Sequence, residues 1–269
     1  MNMAQEPQGA IIITGAAGGM GRPAALRLAR RGQPLILCDI SAERLESLAA
    51  ELRAQGASVT TLAADVAAPS FPGNLLALAG DARIAALIHT AGLSPTMADG
   101  ERVLEVNYLA TERLVKAVEP RMARGGCAVL ISSCSAYMIP QPDLVAAVTA
   151  MVAGGGRNAV APYLASPQAA YPVSKLGVIK LVAREAKAFG ARGARIASIS
   201  PGFIDTEMGR AEEQASEQMR AMIRNVPLAR LGAGDEIAAV AEFLCSPAAS
   251  YVTGCDIKVD GGILATMGL

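Results

Sequence analysis

The stretch Ala10-Ile11-Ile12-Ile13-Thr14-Gly15-Ala16-Ala17-Gly18-Gly19-Met20-Gly21 decides the fold. Its first five residues form a short apolar run, as expected of a strand buried on both faces. The glycines that follow let the backbone turn sharply and approach a ligand closely. Residues 22–31 then have a helical pattern that stops near Gly32. Strand, glycine-rich turn and helix in that order open a parallel unit, because parallel strands need a crossover and that crossover is usually a helix.

The alternation continues outward from this unit. Residues 35–39 read as the second strand. Ser41 caps a helix reaching about residue 55, with Arg44 beside Glu43 and Glu46 on its wet face. Residues 58–64 and 84–90 read as strands three and four, and 101–123 as a long helix. Strand five is read over 128–133, a helix over 169–189, strand six over 195–200, a helix over 235–244 and a last strand over 255–259. No internal repeat or linker interrupts the series. The expected fold class is α/β: one doubly wound, Rossmann-like parallel sheet over residues 1–269, with helices on both faces.

Composition narrows the function classes. The chain has 269 residues, more than half of them hydrophobic, with 24 basic and 24 acidic side chains. Without a basic excess or stripe, a nucleic-acid partner is not expected, nor a polybasic membrane surface. Five cysteines at irregular spacing, with no C-x-x-C pair, read as reduced thiols and not as a disulfide frame or zinc site. Residues 1–9 are short and polar and lack the pattern of a signal peptide. No apolar run reads as long enough to span a bilayer, so the cytoplasm is the expected location.

The loop Gly15 to Gly21 lies between strand and helix, the context in which a helix N-terminus offers free N–H groups to a pyrophosphate. A tight turn with no ligand is the bland alternative. Asp39 ends strand two, where a carboxylate can accept both ribose hydroxyls and repel a 2′-phosphate. That favours NAD over NADP. Arg22, close to the loop, is the counter-argument, since a guanidinium there could meet a 2′-phosphate.

Tyr171-Pro172-Val173-Ser174-Lys175 places tyrosine and lysine on one face of a helix. A free tyrosine has a pKa of about 10. A nearby ammonium favours the phenolate and makes the pair a plausible general base, although such pairs also arise by chance on amphipathic helices.

Here the chain resembles the short-chain dehydrogenases/reductases, over nearly its whole length and in order. The glycine loop matches at Gly15, Gly19 and Gly21, with Met20 at a usual isoleucine. Asp65-Val66 matches the pair after strand three, whose acid meets the adenine amino group. Thr90-Ala91-Gly92 stands for the Asn-Ala-Gly after strand four. Asn107 matches the catalytic asparagine, Ile131-Ser132-Ser133 the end of strand five, and Tyr171 with Lys175 the catalytic pair. Pro201-Gly202 follows strand six, with Ile204 and Thr206 at the nicotinamide end. Val226-Pro227-Leu228, Tyr251-Val252-Thr253-Gly254 and Val259-Asp260-Gly261-Gly262 close the match.

The resemblance implies an NAD(H)-dependent enzyme interconverting a secondary alcohol and a ketone. Tyr171 takes the hydroxyl proton, and Ser133, with Ser132 as rival, steadies the substrate oxygen. Lys175 holds the ribose, and Asn107 supports a water chain past Lys175; the alternative for Asn107 is a helix-interior hydrogen bond that bends the helix. A homo-oligomer, dimer or tetramer, is implied too.

The departures matter. Thr90 replaces an asparagine and is expected to weaken a strand-to-strand hydrogen bond. His89, the only histidine, reads as a packed strand residue. The stretch 92–107 is short and 133–171 is long, with an inserted segment at about 138–169. This combination is similar to the bacterial 3α-hydroxysteroid dehydrogenase/carbonyl reductase subset. The insert reads either as an apolar lid over a bulky, steroid-like or cyclic substrate or as an oligomer contact. Phe203, Met208, Met219 and Met222 are the expected opposite wall. An NADPH-dependent carbonyl reductase and a non-catalytic NAD(H) sensor are the competing functions; Asp39 argues against the first and the intact Asn107, Ser133, Tyr171 and Lys175 against the second.

Overall fold

The computed structural model describes residues 6–139, 141–215 and 217–269. The first half contains β1 (Ala10–Thr14), α1 (Gly21–Ala29), β2 (Leu35–Asp39), α2 (Ala42–Ala54), β3 (Val59–Ala63), α3 (Phe71–Leu78) and β4 (Ile84–His89). Then come α4 (Gly100–Leu104), a π-helical turn Glu105–Leu109, α5 (Ala110–Val118) and β5 (Met122–Ile131). A 3₁₀ turn Cys134–Tyr137 leads to α6 (Pro142–Ala150), α7 (Pro167–Ala191), β6 (Arg195–Pro201), β7 (Ile204–Asp205), α8 (Glu207–Ala215) and α9 (Glu217–Arg224). The chain ends with β8 (Gly232–Ala233), α10 (Gly234–Leu244), β9 (Asp256–Val259) and α11 (Ile263–Thr266).

Seven strands form one parallel sheet in the order β3-β2-β1-β4-β5-β6-β9, and β7 with β8 forms a separate two-stranded ribbon. Successive strand residues point to opposite faces, so each strand feeds two cores. Ile12, Ile36, Leu87, Leu130 and Ile196 meet Phe71, Leu75, Leu114, Val115 and Leu181 on one side. Ile11, Ile13, Leu37, Ile88, Val129 and Ile199 meet Leu28, Leu48, Leu52, Ile237 and Leu244 on the other. The strand order reverses between β1 and β4. The C-terminal ends of the strands diverge there and leave a crevice.

The structure corrects several readings. The expected helix over 101–123 stops at Val118 and is interrupted by the π-turn at Asn107, and the chain is already in β5 by Met122. Strand five therefore starts earlier than expected and ends at Ile131; the Ser132 N–H still donates to the Ile199 carbonyl of β6 (2.8 Å), and Ser133 caps the turn that follows. Helix α3 lies where the sequence suggested no element. Pro72 occupies its first turn, where a missing N–H costs nothing, and Phe71 and Leu75 anchor it. Helices α8 and α9 are likewise additional.

The segment Pro142–Tyr163 is, by length and composition, apolar enough to cross a membrane, contrary to the sequence expectation. Its backbone breaks at Gly154 (φ 114°) and Gly156 (φ 55°), which would leave peptide groups unpaired in hydrocarbon. It packs on the protein instead. Arg157 bridges Glu101 (2.9 Å) and Glu105 (2.7 Å), and Arg184 donates to the Val152 carbonyl. The ε-methyl of Met151 lies 2.9 Å from where a Cβ on Gly177 would sit.

Candidate active site

Two adjoining cavities occupy the crevice. The larger, about 450 Å³, runs from the glycine loop over the ends of β2 and β3. It is lined by Gly15, Gly19, Met20, Asp39, Asp65, Val66, Thr90, Ala91, Gly92 and Thr206 among the expected residues. The smaller, about 90 Å³, is lined by Ser133, Tyr171, Lys175, Pro201, Gly202 and Ile204, and shares Met20, Thr90, Gly92 and Thr206 with the first. Of the expected catalytic and cofactor-binding residues only Gly21 and Asn107 line neither cavity, and both support one from behind.

Gly15 has φ +64°, and a Cβ there would lie 2.7 Å from the Ala91 nitrogen. A Cβ on Gly21 would lie 2.0 Å from the Gly15 carbonyl oxygen. The loop thus closes tightly on the start of α1 and on the end of β4, leaving the N-terminus of α1 facing the crevice. Thr90, expected to weaken the junction of strands, does bond across it: its hydroxyl donates to the Thr14 carbonyl (2.8 Å), with the Gly15 carbonyl (3.2 Å) also in reach.

Asp39 is anchored at both oxygens, accepting from the backbone N–H of Ala17 (2.9 Å) and Ser41 (3.0 Å). Arg22 is not the nearby cation; it pairs with Glu51 at 2.6 Å and lines neither cavity. That place belongs to Arg44, read from sequence as solvent-facing. Its guanidinium donates to the Ala17 carbonyl (3.0 Å) and to Glu207 (3.2 Å) and lines the larger cavity. The sequence clue was its place in the first turn after the Ser41 cap, which aims the side chain back at the loop. Arg102 also went unnoticed. It donates to Asp65 at 2.5 Å. Burial alone would raise the Asp65 carboxyl, but the Ala67 N–H and Arg102 hold it below its usual range.

In the smaller cavity, Lys175 is buried, donates to the Ile131 carbonyl (3.0 Å) and sits 5.7 Å from the centre of the Tyr171 ring. The two serines have different surroundings. Ser132 is buried and donates to the Lys175 carbonyl at 2.8 Å, whereas Ser133 is half-buried. Asn107 accepts from the Leu93 N–H (2.8 Å) and donates to the Leu93 carbonyl (2.9 Å) and to Ser174 Oγ (3.2 Å). Its side chain is a clasp on the loop after β4. Leu93, Phe203, Met208, Met219, Ile223 and Leu231 supply the apolar wall. Met222 is absent from it and Ile223 stands there instead. Among the described residues, none from 138–169 lines either cavity.

Behind the site runs a buried chain. Thr14 Oγ1 lies 2.6 Å from His89 Nδ1, and His89 Nε2 lies 2.8 Å from Thr111 Oγ1, which donates to the Asn107 carbonyl at 2.8 Å. Since Thr111 spends its hydrogen on Asn107, the pattern assigns the proton of His89 to Nε2. Burial, then the Lys175 charge, push His89 down to about 3. It is the packed, neutral strand residue expected. The five cysteines form no disulfide, four of them are buried, and no cluster of metal-ligating residues occurs among the described residues.

Residues 9–150 match the family described as short chain dehydrogenase, and residues 158–264 match the one described as Enoyl-(Acyl carrier protein) reductase. The chain belongs to the short-chain dehydrogenase/reductase family. It is an oxidoreductase acting on CH–OH groups. It is 33% identical over 273 residues, 96% of each chain, to the short-chain dehydrogenase/reductase bsc3 of Alternaria brassicicola. It is 30% identical over 273 residues to the L-rhamnose 1-dehydrogenase (NAD(P)(+)) of Azotobacter vinelandii, covering 96% of this chain and 97% of that one. Among solved structures, the 3-alpha-hydroxysteroid dehydrogenase of Pseudomonas sp. B-0831, complexed with NADH, superposes with a TM-score of 0.78 at 28% identity over 96% of this chain and 98% of that one. The tight loop, the acid at the end of β2 and the long cavity between them fit a nicotinamide dinucleotide.

Proposed function

We propose that this short-chain dehydrogenase/reductase interconverts a secondary alcohol and a ketone with NAD(H), on a substrate with an apolar, cyclic body. The observation that carries the reading is the grouping of Ser133, Tyr171 and Lys175 around one small cavity that opens into the dinucleotide-sized one. When bound, the nicotinamide supplies the hydride acceptor and donor that side chains cannot. Tyr171 takes the proton from the substrate hydroxyl on oxidation and returns it on reduction. Lys175, held by the Ile131 carbonyl, favours the phenolate by its charge. Ser133 donates to the substrate oxygen as charge gathers there. Asn107 braces the floor through Leu93.

The apolar wall of Leu93, Phe203, Met208, Met219, Ile223 and Leu231 supports an apolar substrate body, and the likeness to a 3-alpha-hydroxysteroid dehydrogenase agrees with it. The insert's place on α4 and α7 supports its role in assembly over its role as a lid, and we propose a homo-oligomer in the cytoplasm. Asp39 supports NAD. A second reading, use of NADP(H), is favoured by Arg44, whose guanidinium lines the same cavity.

The test is turnover of NAD⁺ or NADP⁺ with a panel of cyclic, aryl, steroidal and sugar secondary alcohols, followed by absorbance of the reduced nicotinamide. NAD⁺-dependent turnover that disappears in Tyr171→Phe is expected. Unchanged turnover in that variant would refute the assignment of Tyr171.

A further inference from the structure

Ser133 follows β5 in an extended conformation (φ −166°, ψ 151°) and caps the 3₁₀ turn Cys134–Tyr137. Its Oγ accepts two hydrogen bonds from one residue, the N–H of Ser135 at 3.2 Å and the hydroxyl of Ser135 at 3.0 Å. A serine hydroxyl has one hydrogen and two lone pairs. With both lone pairs taken, the hydrogen is what Ser133 has left to offer. Neighbouring Ser132 is in the opposite state, its hydrogen already spent on the Lys175 carbonyl. We propose that Ser135 is a positioning residue that fixes Ser133 as a hydrogen-bond donor to the substrate oxygen.

The turn that carries Ser135 is itself tied down. Tyr137 donates to Asp256 Oδ2 at 2.8 Å, and Ser198 donates to Asp256 Oδ1 at 2.6 Å. The Lys258 ammonium lies 4.4 Å from the centre of the Tyr137 ring. Turn, β6 and β9 therefore hold together, and the Ser135 hydroxyl keeps its aim. Two donors on Ser133 also polarise its O–H, which strengthens the bond that it gives. Without the Ser135 hydroxyl, one lone pair of Ser133 opens and its hydrogen can swing toward other acceptors. That loss matters most when negative charge gathers on the substrate oxygen.

The inference rests on the reading that Ser133 meets that oxygen, and the test separates the two. Ser133→Ala, Ser135→Ala, Ser135→Thr and the double variant Ser133→Ala/Ser135→Ala are assayed with the preferred dinucleotide and the fastest alcohol of the panel above. NADH affinity is measured in parallel by fluorescence titration. Ser135→Ala is expected to lower kcat about ten-fold, the worth of one hydrogen bond, with NADH affinity unchanged. Ser135→Thr keeps the hydroxyl and restores kcat. The double variant is no slower than Ser133→Ala alone, because Ser135 acts only through Ser133. Full activity in Ser135→Ala, a multiplicative loss in the double variant, or a fall in NADH affinity overturns the role of Ser135 while leaving Ser133 in place. An unaffected Ser133→Ala removes the reading of Ser133 and this inference with it.

Discussion

Replacing His89 by glutamine removes the only imidazole of the chain while keeping a donor and an acceptor between Thr14 and Thr111. In the folded protein His89 is held neutral down to about pH 3; its ordinary value is 6.5. Burial is the main cause, and the Lys175 ammonium adds to it. Below pH 6.5 the unfolded chain binds a proton at this position and the folded chain does not, so acid favours unfolding. The slope is about 1.4 kcal/mol per pH unit within that window. From pH 6.5 to 4 the wild type should lose roughly 3 kcal/mol through His89 alone. Carboxylates that protonate as the pH falls are common to both proteins and cancel in the difference. At pH 8 His89→Gln should be less stable by ~1–3 kcal/mol, since glutamine fits two imidazole partners imperfectly. By pH 4 that deficit should vanish or reverse. Urea midpoints of both proteins at pH 8, 6, 5 and 4 measure it. A deficit that stays constant across the series would mean that His89 titrates alike in both states, and the reasoning from its burial would fail.

Gly21→Ala should lower NADH affinity at least about ten-fold, because its Cβ would fall 2.0 Å from the Gly15 carbonyl and the loop cannot give without moving; fluorescence titration checks this, and unchanged affinity would mean that the loop is not the cradle. Arg44→Ala should weaken NADPH by about ten- to a hundred-fold, the loss of a charge-assisted hydrogen bond, and leave NADH nearly unchanged. An equal effect on both cofactors would show that Arg44 does not meet a 2′-phosphate.

The alternation of apolar runs and helices was readable because a strand covered on both faces has no polar side to write into its sequence, as at Ile11, Ile12 and Ile13. Residues close together along the chain were readable too. The glycine loop must turn within a few residues, and Tyr171 and Lys175 share a face because a helix repeats every 3.6 residues. Helix α3 was hidden because its opening Phe71-Pro72-Gly73 reads as a turn until Phe71 and Leu75 find the core. The site divides along the same line. Sequence named Ser133, Tyr171, Lys175, Asn107 and Asp39 by type and order. It could not say that the Asn107 amide clasps Leu93, that Arg44 and not Arg22 reaches the larger cavity, or that the described residues of the insert lie on α4 and α7 away from both cavities. Each of those depends on which groups meet across 14 to 163 residues of chain, and contacts of that kind are settled by the packing of the whole sheet and its helices. Residue order alone determined the repeating fold and the cast of polar groups; the tertiary structure decided which of them still have a hydrogen, a lone pair or a charge to offer a ligand.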